Sequence, residues 1–318
     1  MRVSALLVGL LATAAVASAA SADRNVSSPG TVQALARSGY SVAFLSGPAK
    51  GHCGPQVRLW NLVNGGVYPL GRHTDAVCNE GPSGGSGVTG IAVAGNRALW
   101  LAYAGGNLTD WTLYTATTTK PIERRLEFKE VDAGAPSPIV LGTASEQVLP
   151  YSIGATVKVL KANGAKAYTW QAPGPVTNTT AYQGQVAAFV KGGKCYVLSP
   201  GGAVTATYTF PAGAVQEFAL SGVGLVVQLL RGKVEIHRGA SVKTVQLPAA
   251  ARMLDYAEGI VLYKVGTQIR GRRVFNGKDA FLRYGTFGAL EHNGLSYAAG
   301  KRVSSIAWVN VTAAINNS

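Results

Sequence analysis

Helix signals are nearly absent from this 318-residue chain after its first 23 residues, and charged residues are scarce at 14%. With 47% hydrophobic residues and 40 glycines, the composition excludes a disordered polyelectrolyte and describes a core-rich globular protein. Acids number only 15, so few carboxylates can be recruited for proton transfer. No Gly-x-Ser-x-Gly elbow, P-loop or dinucleotide fingerprint occurs. The glycine-rich stretches SGPAKG and GPSGGSG neither follow a buried strand nor open a helix, so they read as loops. Cofactors are therefore not expected. Three cysteines, Cys53, Cys78 and Cys195, allow one pair and one leftover thiol.

What is present begins with the terminus. Arg2 precedes an apolar run from Leu6 to Val16, and small-x-small patterns follow at Ala17-Ser18-Ala19 and Ala20-Ser21-Ala22. This is the grammar of a secretory signal peptide over residues 1–22. The run is shorter than the roughly 20 residues a membrane span needs. No lipid-attachment Cys and no second apolar stretch follow. Residues 23–318 are expected to form one soluble, secreted, extracellular domain, in a compartment where disulfides persist.

The rest of the chain alternates apolar and polar residues in short runs broken by Gly, Asn, Ser and Pro, the pattern of strands and turns. Thr179 to Phe210 reads as four strands, and Glu217 to Leu247 repeats the plan. Similar opening hairpins begin near Val32, Val88, Pro138, Asn178, Gln216, Ala251 and Phe287. Four-stranded units of about forty residues bury their faces only by stacking on neighbours, and a ring of them leaves short, protected edges. Seven such units make the chain all-β, and it resembles a seven-bladed β-propeller over its whole mature length. The Ala, Gly and Val bias is similar to that of a GC-rich bacterium, so the chain resembles a secreted bacterial propeller repeat protein. The resemblance is one of pattern alone, because WD40, kelch and Asp-box signatures are missing. Six blades or two β-sandwiches remain the architectural alternatives. The last unit is short, with Ser304–Val309 as its third strand, and residues 26–31 are placed to supply the missing outer strand and close the ring by pairing the chain termini.

In a four-stranded antiparallel blade, the loop entering strand one, the loop joining strands two and three, and the loop leaving strand four share one face. The first unit puts Cys53 in its second-to-third loop and Cys78 in its exit loop. A Cys53–Cys78 disulfide is then geometrically reasonable and worth roughly 3 kcal/mol on the chain-entropy model. Cys195 sits inside the strand KCYVL and reads as a buried small hydrophobe. The second unit adds two further long loops on that face, AGGNLTD and KEVDAGAPSP. The decorated face of a repeat fold is often its binding face. Its candidate contact residues are His52, Arg72, His73, Asp75, Glu80, Asn107, Asp110, Trp111 and Asp132. His52, His73 and Asp75 have the chemistry of metal ligands, but a polar, disulfide-clamped loop explains them, and no metal is assigned.

Aligning the opening hairpins puts Gln33, Gly90, Val140, Asn178, Glu217, Arg252 and Phe287 around the channel mouth on that face. Glu217 and Arg252, with His73, are the candidates for catalysis there, although an ion pair accounts for the first two. The register puts Asp255 deeper. Two carboxylates, as glycoside hydrolysis needs, do not meet at this mouth. The expectation is a monomeric, exported binding or scaffold propeller presenting its disulfide-clamped face to a protein or glycan. The alternative is a propeller enzyme of lyase, lactonase or glycosidase type working at the channel mouth. Net charge is +14, with 13 Lys and Arg against five acids between Arg231 and Arg302. This basic last third suits an anionic cell-envelope polymer. Nucleic acid is not expected as a partner, since aromatics do not interleave with the basic residues in a stacking pattern.

Overall fold

A computed structural model describes residues 23–48, 54–71 and 86–318. The chain opens with β1 (Arg24–Ser27). Blade 1 is β2 (Val32–Ser38), β3 (Ser41–Ser46), β4 (Gln56–Asn61) and β5 (Val67–Leu70). Blade 2 is β6 (Ser86–Ala94), β7 (Arg97–Gly105), β8 (Leu108–Thr117) and β9 (Lys120–Asp132). Blade 3 is β10 (Ile139–Leu141), β11 (Val148–Ile153), β12 (Thr156–Lys161) and β13 (Lys166–Gln171). Blade 4 is β14 (Val176–Tyr182), β15 (Gln185–Val190), β16 (Lys194–Leu198) and β17 (Val204–Thr209). Blade 5 is β18 (Val215–Ser221), β19 (Gly224–Leu229), β20 (Lys233–Arg238) and β21 (Ser241–Gln246). Blade 6 is β22 (Arg252–Ala257), β23 (Ile260–Val265), β24 (Gln268–Arg273) and β25 (Asp279–Tyr284). Blade 7 is β26 (Phe287–Glu291), β27 (Gly294–Ala299) and β28 (Arg302–Ala307), with β1 as its outer strand. The seven antiparallel sheets are a seven-bladed β-propeller.

The two-residue period of the strands builds the ring. In β3, Val42 and Phe44 pack toward blade 7, while Ala43 and Leu45 pack toward blade 2. Both faces are therefore buried, and the strand reads as a continuous apolar run. The outer strands β17 and β21 are mostly exposed and polar. Seven apolar clusters, one between each adjacent pair of blades, hold the ring together.

Closure follows the expected plan with a shift. The outer strand of blade 7 is Arg24–Ser27, paired with β28 from Arg24↔Ser305 to Ser27↔Arg302, earlier than the anticipated 26–31. Ser28 and Val32 turn away, their N–H groups donating to the carbonyls of Lys301 and Gly300. Residues 308–316 correct a second reading. The stretch expected to end a strand at Val309 instead forms α1 (Trp308–Asn316). Val311 and Ile315 lie one helical turn apart and sink into the cluster between blades 6 and 7. A helix this short is stabilised by that packing and not by propensity.

Candidate functional site: the two ends of the central channel

The innermost strands β2, β6, β10, β14, β18, β22 and β26 surround a central cavity of about 880 Å³. At the end where these strands begin, Glu217 and Arg252 meet across blades 5 and 6, Arg252 Nε donating to Glu217 Oε1 at 2.5 Å. The Arg252 side chain is 66% exposed, and neither residue lines the cavity. They form a rim ion pair.

The opposite end gathers more titratable groups. Arg37, Glu146, Asp255, Glu258, Glu291 and His292 all line the cavity. Four carboxylates thus face one guanidinium, in a chain where Lys and Arg outnumber acids about two to one. Arg37 is buried and fully engaged. Its Nη1 donates to Ser296 Oγ (3.0 Å) and Ser305 Oγ (3.1 Å). Its Nη2 donates to Asn293 Oδ1 (2.7 Å), and its Nε to the Gly39 carbonyl. Burial pulls its pKa down to about 10, against the nearby Glu291 carboxyl. Asp255, in blade 6, accepts N–H bonds from Tyr256 and from Leu290 of blade 7, each at 2.8 Å. Desolvation lifts it to about 6 despite these bonds. Glu291 is pushed up to about 8, first by burial, then by the charges of Asp255 and Glu146. His292 lies between carboxylates, its Nδ1 3.6 Å from Glu291 and its Nε2 3.9 Å from Glu146. Blades 1, 3, 6 and 7 all contribute to this cluster, which fastens the seam where the ring closes.

Sequence reasoning placed Asp255 deep but missed Arg37, Glu146, Glu258, Glu291 and His292. Aligning the hairpins by their turns draws attention to the residues at the strand entrances, such as Glu217 and Arg252. The turns themselves, RSG, SEQ, AEG and EHN, carry the polar residues that converge at the other end.

The face at the strand beginnings carries a projection. β8 spans 10 residues and β9 spans 13, whereas third and fourth strands elsewhere span four to six. Core packing in blade 2 ends near Ala102 on β7 and Trp111 on β8. The remainder rises above the ring by roughly 10 Å, at about 3.3 Å per residue. The stretch AGGNLTD is therefore mostly strand, and KEVDAGAPSP is strand through Asp132 and loop from Ala133 to Pro138: Leu108 pairs with Asp132, and Asp110 with Glu130. Asn107 is at the exposed hairpin tip, with Asp110 and Asp132 below it on one face of the sheet. Trp111, on the other face, packs against Tyr103 with ring centroids 5.5 Å apart. Asp110 and Glu130 are direct cross-strand neighbours of like charge, an arrangement that costs stability.

His52, Arg72, His73, Asp75 and Glu80, and the expected Cys53–Cys78 disulfide, lie outside the described residues. Cys195 is buried, and desolvation raises its thiol pKa well above the usual range. Among the described residues, no three of His, Cys, Asp and Glu are arranged to hold a metal ion, and no helix is long and apolar enough to cross a membrane.

No protein-family model and no curated protein matches the chain. Solved structures do, at the level of fold. A chain of the mitotic checkpoint complex aligns at 15% identity and TM-score 0.57, covering 89% of this chain and 94% of that one. The β-propeller domain of the Trilobed protease from Pyrococcus furiosus aligns at 10% identity and TM-score 0.56, with 88% and 94% covered. That domain is described as having an open velcro topology. Here β1 pairs with β28 and closes the last blade. PorZ, a surface component of the type-IX secretion system of Porphyromonas gingivalis, aligns at 10% identity and TM-score 0.50, with 90% of this chain and 39% of that one covered.

Proposed function

We propose that this chain is an exported binding propeller that presents the face carrying the blade 2 projection to an envelope protein or glycan. The observation that carries this reading is the projection itself. β-Sheet extended beyond its core exposes Leu108, 44% exposed, and Phe128, 43% exposed, and holds like charges together at Asp110 and Glu130. Such features cost stability within the ring and suit a partner outside it. Export is supported by the start of β1 at Arg24, directly after the second small-x-small site. The test immobilises residues 23–318 and presents envelope glycans and envelope proteins, alongside a Leu108→Asp/Asp132→Lys variant. The wild type should retain a ligand that the variant releases. Equal retention by both overturns the reading. The mass of the secreted protein should correspond to a start after Ala19 or Ala22, and a chain that stays inside the cell with residues 1–22 intact would contradict export.

A second reading, hydrolysis in the channel, is favoured by one observation. Glu291 is held protonated near neutral pH beside Glu146, Asp255 and His292, as a proton donor to a leaving group would be. Chromogenic glycosides offered to the wild type and to Glu291→Gln test it. Turnover that falls more than about 100-fold in the variant supports it, and absence of wild-type turnover removes it.

A further inference from the structure

The basic last third of the chain is not spread evenly. On the outer rim of blade 6, β24 and β25 pair Arg270 with Phe281 and Arg272 with Asp279, and pair Gln268 with Tyr284. Cross-strand partners share a face. The register shifts between Ile269 and Arg270, and the extra residue on β25 brings Phe281 and Tyr284, three apart in sequence, onto that face. Their ring centroids are 4.8 Å apart at 56°. Phe281 is 42% exposed, Tyr284 62%, and Phe275, at the β24–β25 turn, 74%. The same face continues inward through Tyr263 into the cluster shared with blade 5, so it forms one wall of the rim groove between blades 5 and 6. Lys243 stands on the other wall, its Nζ 4.8 Å from the centre of the Phe275 ring.

Arg270 and Arg272 share a single carboxylate, Asp279, at 2.8 and 3.7 Å. The groove therefore carries an excess of cations next to a row of exposed rings along a strand about 20 Å long. Rings mounted along a rigid strand offer apolar faces to a linear chain of sugar rings, while guanidinium and ammonium groups meet its acid groups. A protruding apolar loop, as insertion into a lipid surface uses, accounts for Phe275 but not for the strand-borne pair. We propose that the rim groove between blades 5 and 6 binds an acidic polysaccharide, with Phe281, Tyr284 and Phe275 stacking on sugar rings and Lys243, Arg270 and Arg272 meeting carboxylates. The inference stands apart from the blade 2 face, and either can fail alone.

The experiment is affinity electrophoresis of residues 23–318 in gels containing alginate, a uronic-acid polymer, or neutral dextran. Phe281→Ala/Tyr284→Ala leaves every charge in place. Melting curves confirm that it folds, and Lys243→Glu, on the opposite wall, provides a second variant. The expected result is retardation by alginate and not by dextran, with apparent affinity falling at least tenfold in each variant. Retardation unchanged in the aromatic variant means generic cation attraction and overturns the proposal. So does absence of retardation, or stronger binding to phosphatidylglycerol vesicles that depends on the same two rings.

Discussion

The two ends of the channel hold similar residue types in opposite states. At the strand beginnings, Glu217 and Arg252 form a rim pair in water, one carboxylate with one guanidinium. At the first-to-second turns, Arg37, Asp255 and Glu291 are withdrawn from solvent and bonded across the seam between blades 6, 7 and 1. Surface pairs contribute little, because solvent screens them, whereas buried groups bonded to several partners are costly to disturb. The ring is thus fastened at one end, and the face at the other is left to carry the blade 2 projection.

Removing the fastener should have the largest effect. Arg37→Ala leaves the Ser296 and Ser305 hydroxyls and the Asn293 amide oxygen without their donor, and should cost roughly 3–5 kcal/mol in denaturant unfolding. A loss under about 1 kcal/mol would place the closure energy elsewhere. The next effect is a pH dependence. The Glu291 pKa is raised to about 8 in the folded chain from an ordinary 4.5, so the folded state holds this proton more tightly. Its contribution is fully present below the ordinary value, and stability should decline as pH rises from about 4.5 to 8. Glu291→Gln should flatten that decline, and an unchanged slope would assign it to another group. The smallest effect belongs to the rim: Glu217→Ala should cost less than about 1 kcal/mol, with half or more of it lost in high salt.

Much of the fold is legible in the sequence because each blade is a local object. Turn glycines and two-residue alternation mark its four strands, as in blade 4 from Val176 to Thr209. The blade count and closure by an N-terminal strand follow from the repeat. α1 is not legible, because WVNVTAAIN carries β-branched residues and has no side-chain cap at its start; only the adjacent blades 6 and 7 make it a helix. The blade 2 projection reads as loops, since Gly105, Gly106 and Asn107 signal a turn and EFKEVD lacks an apolar stripe. The closure cluster is hidden for another reason: Arg37 and its partner Ser296 are 259 residues apart, and only ring closure brings them together.

The division between a fastening end and a presenting face can be tested in one measurement, hydroxyl-radical footprinting of residues 23–318 with and without an envelope fraction that retains the protein. The account predicts protection of Tyr103, Trp111 and Phe128 on blade 2, with Tyr182 and His292 at the fastened end oxidised equally in both samples. Protection of Tyr182 and His292 with blade 2 unchanged would contradict it and move the binding site to the acidic end of the channel.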